Sequence, residues 1–300
     1  MSTFLDAYRP LMDLFLISAG FALSQYAVLR AGVFSVATAG IASIGAYLAA
    51  IVMTRIGFSI WVAAPMSMLI GGGVGLLLSI PLARLRGPYQ AIATLAFVQV
   101  VLALALYAEP ITGGALGIFN IPKEVGTSGL LACLALALYV LRSANASRLG
   151  SIFDALRQDE GVAGSLGISV AFHHTLAFGI SGAIAGLFGA LQAGYTYSIS
   201  PHQYGFSLLA GTLAAVILGG RRSVWGPIAG AGIMTLLPEL ARPLADNRLL
   251  FTGLLLVLMI IFLPQGVVDG LLLSFKRHRE SSGTRGATDS LAMKAKRIGV

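Results

Sequence analysis

The chain has 300 residues, of which 57% are hydrophobic and only 11% charged, with a formal net charge of +8. With a mean hydropathy of +0.86, this composition excludes an ordinary soluble domain and points to a membrane protein, because a helix needs ~20 apolar residues to cross a bilayer. The apolar runs lack the short alternation of a transmembrane barrel, so helices, which satisfy their own backbone, are the expected spanning element.

Candidate spans fall at 11–29, 31–53, 59–82, 90–107, 128–142, 171–195, 207–220, 226–242 and 249–270. Some runs are short, so the expectation is an all-α, polytopic integral membrane protein with eight to ten transmembrane helices. The first run, LMDLFLISAGFALSQYAVLR, lacks a basic n-region, Arg9 being offset by Asp6, and has no clear small-residue cleavage site; it reads as a retained helix. The second, AGVFSVATAGIASIGAYLAAIVMT, is studded with Gly, Ser and Thr and is a candidate for a broken or re-entrant helix.

Glycines four apart recur at Gly71/Gly75, Gly182/Gly186 and Gly226/Gly230, a spacing that lets helices approach closely in lipid. Three polar, Gly-rich stretches punctuate the spans: RLRGPYQAIATLAF with Thr94, ITGGALGI with Thr112, Gly113 and Gly114, and LGGRRSVWGPIAGA with Pro227 at a helix start. Each reads either as turn and packing chemistry or as the wall of a pathway. Thr94, Thr112, Gly113 and Gly114 are the candidate pathway residues.

Orientation follows the bias of Lys and Arg toward the cytoplasmic side. The joints holding Arg84/Arg86, Arg142/Arg148/Arg157, Arg221/Arg222 and Lys276/Arg277/Arg279 are separated by even numbers of spans, so all face the cytoplasm together. Gly114 and His202 then face outward, whereas the side of the N-terminus stays open. From Lys276 onward seven basic and two acidic residues leave +5 on the tail. Residues 1–273 are read as the transmembrane domain and 274–300 as a basic cytoplasmic tail, expected to be disordered from its Ser/Gly/Lys/Arg content.

Between the fifth and sixth spans lies a charged island, RLGSIFDALRQDEGVAGSLGIS. At 100° per residue, Ile152, Ala155, Leu156, Val162, Ala163 and Leu166 share one face, and Asp154, Arg157, Gln158 and Ser165 the other. Asp159 breaks the pattern. Ser151 and Asp154 resemble a capping box, and Gly167 suits a helix end. One or two short amphipathic helices are expected, either lying on lipid or docking a soluble partner.

The chain carries no G-x-x-x-x-G-K-[ST] nucleotide loop, no H-E-x-x-H or Cys/His metal spacing and no G-x-S-x-G elbow. Cys133 is the single cysteine. No enzyme, resident cofactor or metal site is expected on this chain, nor a nucleic-acid partner. The acids fall in the joints, the island or the tail, with none central in a span, which argues against an ion-coupled pump.

In this order, GAYLAA, RLRGPYQAIATLAF, TGGALGIFNIP, the island and LAFGISGAIAGLFGALQAG resemble the permease subunits of branched-chain amino-acid ABC importers. In the island the match falls on Gly150, Ala155, Arg157, Glu160, Ala163, Gly167 and Ile168. The family often has Arg where Ser151 and Asp154 stand, Lys near His174, Glu near Gln99, and Gly-x-Gly-Ser in place of GGRRS. The resemblance implies a coupling helix in the island, with Leu156, Arg157, Glu160, Ala163, Leu166 and Gly167 serving contact with the ATPase. It also implies two separate ABC ATPase subunits that bind the ATP, a second related permease (heterodimer before homodimer), a periplasmic binding protein, and a bacterial inner membrane. The rival expectations are an ion-coupled secondary transporter, or an ABC permease or channel for urea or another small amide.

Overall fold

A computed structural model describes residues 2–85, 87–240, 253, 257 and 266–270. Arg86, most of the candidate span 249–270, and the tail 274–300 lie outside the described residues.

The first helix, α1 (Ser2–Arg30), closes on a basic residue, as the negative end of a helix dipole favours. An extended stretch leads to α2 (Thr38–Ile51), which runs into a π-helical turn (Val52–Ile56). Then come α3 (Ile60–Leu82) and α4 (Pro88–Tyr107), the latter started by a proline whose missing N–H costs nothing at the first turn. A short α5 (Glu109–Thr112) and strand β1 (Ile118–Phe119) precede α6 (Thr127–Ala146). The island forms α7 (Arg148–Gln158) and α8 (Glu160–Ser165), followed by α9 (Val170–Tyr195). Strand β2 (Ser198–Ile199) and a 3₁₀ turn (Pro201–Tyr204) lead into α10 (Phe206–Gly219) and α11 (Trp225–Leu240).

Among the described residues the protein is all-α apart from the two-residue β1–β2 ladder. Among the described residues, six helices are long and apolar enough to cross a membrane: Tyr8–Arg30, Thr38–Ile56, Ile60–Leu82, Pro88–Tyr107, Thr127–Ala146 and Val170–Tyr195. The candidate spans at 207–220 and 226–242 form α10 and α11, of 14 and 16 residues. Both are shorter than the ~20 residues of a full crossing.

The second candidate span is broken at its start. Residues 31–37 are not helical, although Val33, Ser35, Val36 and Ala37 are buried. Their backbone finds partners in the end of α1, where Val33 N–H donates to the Val28 carbonyl, and in side chains, as buried backbone requires. Gln25 donates to the Ser35 carbonyl, and Val36 N–H donates to Thr94 Oγ1 at 3.1 Å. Thr38 Oγ1 donates to Gln25 Oε1 at 2.6 Å, tying the new helix to α1.

The core gathers around α9, which packs on α1, α2 and, most extensively, α3. Here two of the glycine pairs meet each other. A Cβ on Gly71 would collide with the Gly182 carbonyl, one on Gly182 with the Gly71 carbonyl, and one on Gly186 with the Ser67 carbonyl. The backbones of α3 and α9 are thus in direct contact, as small-residue seams allow. The third pair packs α11 on α10, with Gly230 against the Ala215 carbonyl.

The helix ends sort into two sets. At one end β1 pairs antiparallel with β2, Ile118 opposite Ile199 and Phe119 opposite Ser198. Near it, Arg55 Nη2 donates to the carbonyls of Pro110 (2.7 Å) and Ile111 (3.0 Å), and Glu124 accepts from Ser59 Oγ (2.6 Å) and Ile60 N–H (2.9 Å). Those two bonds, against slight burial, hold the Glu124 carboxyl below its usual range. At the opposite end sit Arg30, the island, the joint at Leu82–Leu85, the joint at Arg221–Ser223, and residues 266–270. The basic joints that fall among the described residues, at Arg84, the island and Arg221/Arg222, therefore share one physical end of the bundle, whereas the joint at Lys276/Arg277/Arg279 lies outside the described residues. Because α1 finishes there at Arg30, Tyr8 lies at the ladder end, a side the sequence left open.

Candidate functional site: the island at the basic end

The island is built on the end of α1. Ser147, not Ser151, caps α7: its Oγ accepts from Leu149 N–H at 3.2 Å. Asp154 therefore belongs to no capping box; it turns toward α1. Its two carboxylate oxygens meet the two terminal nitrogens of Arg30, Nη2 to Oδ2 at 2.7 Å with Nη1 on Oδ1. A planar guanidinium fits a carboxylate in this two-pronged way, which fixes direction as well as distance. Arg157 Nη2 approaches the same Oδ1 at 3.4 Å.

Burial works to raise the Asp154 carboxyl, but the hydrogen bond and charge of Arg30, with Arg157 and Arg222 adding, hold it below the usual carboxylate range. Burial, together with the neighbouring charges of Arg30, Arg222 and Arg221, lowers Arg157, against the pull of Asp154. The site is thus a knot of basic groups around one carboxylate. Gly32, at φ +90°, lets the turn after α1 touch the Arg157 backbone: a Cβ there would lie 3.1 Å from Arg157 Cα.

Asp159, which interrupts the apolar stripe, is the cap of α8. Its Oδ1 accepts from Gly161 N–H at 2.7 Å and Val162 N–H at 3.1 Å. Its extended backbone (φ −159°) kinks the island into two helices. Gly167, at φ +84°, turns the chain after α8 toward α9.

The predicted coupling residues divide. Leu156 (2% exposed) and Ala163 (1%) pack inward with Phe153, Ala31 and Ala177. They join the island to its own chain and present nothing outward, contrary to their reading as a docking face. Leu166 (74% exposed) and Val162 (57%) are the outward apolar side chains. Glu160 is half-buried and Arg157 is turned into the basic knot.

The predicted pathway residues are not brought together. Thr94 is fully buried, donates to the Gln90 carbonyl at 2.9 Å and accepts from Val36. It sits at the island-side start of α4. Thr112 lies beyond the other end of that helix, ~20 Å away along α4 by helix rise. It donates to the carbonyls of Ala105 (2.7 Å) and Ala108 (2.8 Å). Gly113 and Gly114, at φ +76° and +62°, complete that turn. In this chain all four residues have structural partners.

Sequence reasoning missed three polar groups. Arg30 ends an apolar run and signals nothing until its partner is known. Asp269 caps the GGRRS turn, accepting from Arg222 N–H (2.9 Å) and Ser223 N–H (3.2 Å). Asp13 departs from the reading that the acids fall in the joints, the island or the tail: though not central, it lies five residues inside the first span, is 6% exposed, and hydrogen-bonds Tyr195. Its place near the start of a run made it look like a flank.

The comparisons with known proteins decide the family. A family model described as the permease component of the branched-chain amino acid transport system matches residues 11–263. The chain belongs to this family. It is 34% identical to the high-affinity branched-chain amino acid transport system permease protein LivM of Salmonella typhimurium and 35% identical to LivM of Escherichia coli K12; each alignment covers 76% of this chain and 62% of the relative. The chain thus spans less than two thirds of the length of these curated relatives. A solved inward-facing metal-chelate type ABC transporter is similar at 20% identity with a TM-score of 0.46, covering 90% of this chain and 85% of that one. As a member of this permease family, the chain is a transport component.

Proposed function

We propose that the chain is a permease subunit of an ATP-driven ABC importer for branched-chain or related amino acids in a bacterial inner membrane. The observation that carries this reading is the family match across residues 11–263. In this account ATP is bound and hydrolysed by two separate ATPase subunits. A second related permease completes the pathway, and a periplasmic protein delivers the substrate.

The island is the coupling element. Its inner face, Phe153, Leu156 and Ala163, fastens it to the bundle, and Arg30–Asp154 locks its direction relative to α1. Its outer face, with Val162 and Leu166 beside Gln158 and Glu160, meets the ATPase. A helix gripped on both sides moves as a lever: closure of the ATPase pair displaces α7–α8, and the clamp passes that displacement to α1 and α9. The apolar outer residues supply adhesion, and the charged rim sets register and partner choice.

The test is uptake in vesicles holding the chain with a second permease, the ATPases and the binding protein. ATP-dependent leucine uptake supports the reading. A buried acid within the first span, Asp13, favours one rival, an ion-coupled carrier. Gradient-driven uptake without the ATPases, abolished by Asp13→Asn, would establish that rival. Equilibrative urea flux through the chain alone would favour a channel.

A further inference from the structure

Most helices of the bundle show lipid an apolar outer face. On α6, for example, the exposed residues near mid-helix are Leu131, Leu136, Tyr139 and Val140. Helix α4 differs. Its outward stripe runs Ile92, Ala96, Gln99, Val100, Leu104, Tyr107, with an amide in the middle. Gln99 lies eleven residues from Pro88 and eight from Tyr107, the ends of α4. Among the described residues of the six spans, no other exposed Ser, Thr, Asn, Gln or charged side chain lies eight or more residues from both ends.

Helix rise puts Gln99 ~12 Å below the outer end of α4, near the middle of a ~30 Å apolar core. A primary amide has two donors and an acceptor, and facing hydrocarbon leaves them unsatisfied at a cost of several kcal/mol. A membrane bundle places such a group toward water, a solute or another polar surface.

Beside Gln99 the surface is concave. A groove of about 520 Å³ is lined by Gln99, Leu102, Leu106, Tyr107, His202 and Phe206, with Ala103, Pro201 and Gly205 in its floor and rim. It climbs from mid-depth to the outer end, where the turn at Pro201–Tyr204 joins α10. Its ends are polar, Gln99 below and His202 above, and its walls are apolar. That pattern suits a small amphipathic solute: a zwitterionic head for the polar groups, an aliphatic side chain for the walls.

We infer that this groove is the chain's share of the translocation route, with Gln99 hydrogen-bonding an amino-acid substrate at mid-membrane and His202 at the outer mouth. The inference rests on the proposed amino-acid import. It moves the route from Thr94 and Thr112–Gly114, which are engaged within the chain, to the open face of α4. The second permease closes the groove from its open side.

The experiment introduces Gln99→Cys into a Cys133→Ser background of the assembled importer, with Leu136→Cys on α6 as the lipid-facing comparison. Each is treated with a water-soluble methanethiosulfonate carrying a quaternary ammonium, and with a lipid-soluble maleimide. The expected result is water-soluble labelling at position 99, slowed by excess leucine, and only lipid-soluble labelling at 136. Replacing the amide, Gln99→Leu, is expected to lower leucine uptake roughly three- to tenfold, the loss of one neutral hydrogen bond. Labelling at 99 by the lipid-soluble reagent alone, labelling by neither reagent, or leucine-insensitive labelling would overturn the inference. If the Cys133→Ser importer takes up leucine with ATP while position 99 gives such a result, only the groove assignment fails. If it takes up no leucine at all, the proposed function fails with it.

Discussion

Arg30, the last residue of α1, and Asp154, on the first island helix, hold each other through a two-pronged ion pair. Nη2 lies 2.7 Å from Oδ2, and Nη1 meets Oδ1. The Arg30 side chain is 9% exposed and that of Asp154 40%, so the pair lies between a buried bridge, whose breaking costs 3–5 kcal/mol, and a surface one worth little. Discounted for the water at Asp154, losing it is expected to cost ~1–3 kcal/mol. Asp154→Asn or Arg30→Gln should lower the melting temperature in detergent and reduce ATP-driven uptake. A charge swap, Arg30→Asp with Asp154→Arg, should recover part of both. Equal stability in the single variants and the parent would remove the clamp from the account.

The clamp also has a pH signature. The Asp154 carboxyl is held below its ordinary value in the folded protein. Its stabilisation is therefore full above the unfolded carboxylate pKa of ~3.9 and is lost as pH falls through the lower folded value. An acid titration of thermal stability should show a decline that Asp154→Asn reduces, with Glu124, also held low, supplying part of the remainder. An unchanged decline in that variant would place the acid sensitivity elsewhere.

The α3–α9 seam predicts a contrast between neighbouring glycines. Gly71 and Gly186 touch backbone across the seam, whereas a Cβ on Gly73 meets open space. Gly73→Ala should be within ~0.5 kcal/mol of the parent. Gly71→Val or Gly186→Val should force the helices apart and cost several-fold more, read as lost monodisperse protein in detergent. Equal tolerance at all three positions would contradict the packing.

The fold was legible wherever one physical rule acted alone. Spans at 59–82, 90–107 and 171–195 fall within two residues of α3, α4 and α9 because sustained apolarity ends sharply at Pro and Gly. The island's helical character was legible from its period, as one or two short helices, whereas Asp159 was legible only as a break in the stripe; the fold makes it the cap at which the island kinks. What stayed hidden depends on partners distant in sequence. Thr94 is polar because it satisfies Val36, 58 residues away, a need that no local pattern announces. Leu156 and Leu166 share one helical stripe, yet one is buried and the other exposed, because the kink at Asp159 rotates the second helix relative to the first. Gln99 shows the converse: helical period assigns it a stripe, but only the fold reveals that the stripe faces outward.

Orientation is testable in intact cells. On a Cys133→Ser background, an impermeant outer reagent is expected to label Gly114→Cys and His202→Cys and to spare Glu160→Cys and Arg221→Cys, following the basic bias of the island end. Labelling at position 160 from outside would invert the map.

The central claim is that α7–α8 couples this permease to a separate ATPase through its outer face. The most direct measurement is co-purification of the ATPase subunits with a Val162→Asp, Leu166→Asp variant, together with ATP-driven leucine uptake in vesicles. Both side chains are exposed and apolar, so the substitutions leave the island's inner packing and the Arg30–Asp154 pair untouched. The account predicts an unchanged melting temperature, ATPase association weakened by ~1–4 kcal/mol as for the loss of interface anchors, and uptake falling with it. Full ATPase association and normal uptake in that variant would contradict it and leave the island as a helix lying on the lipid surface.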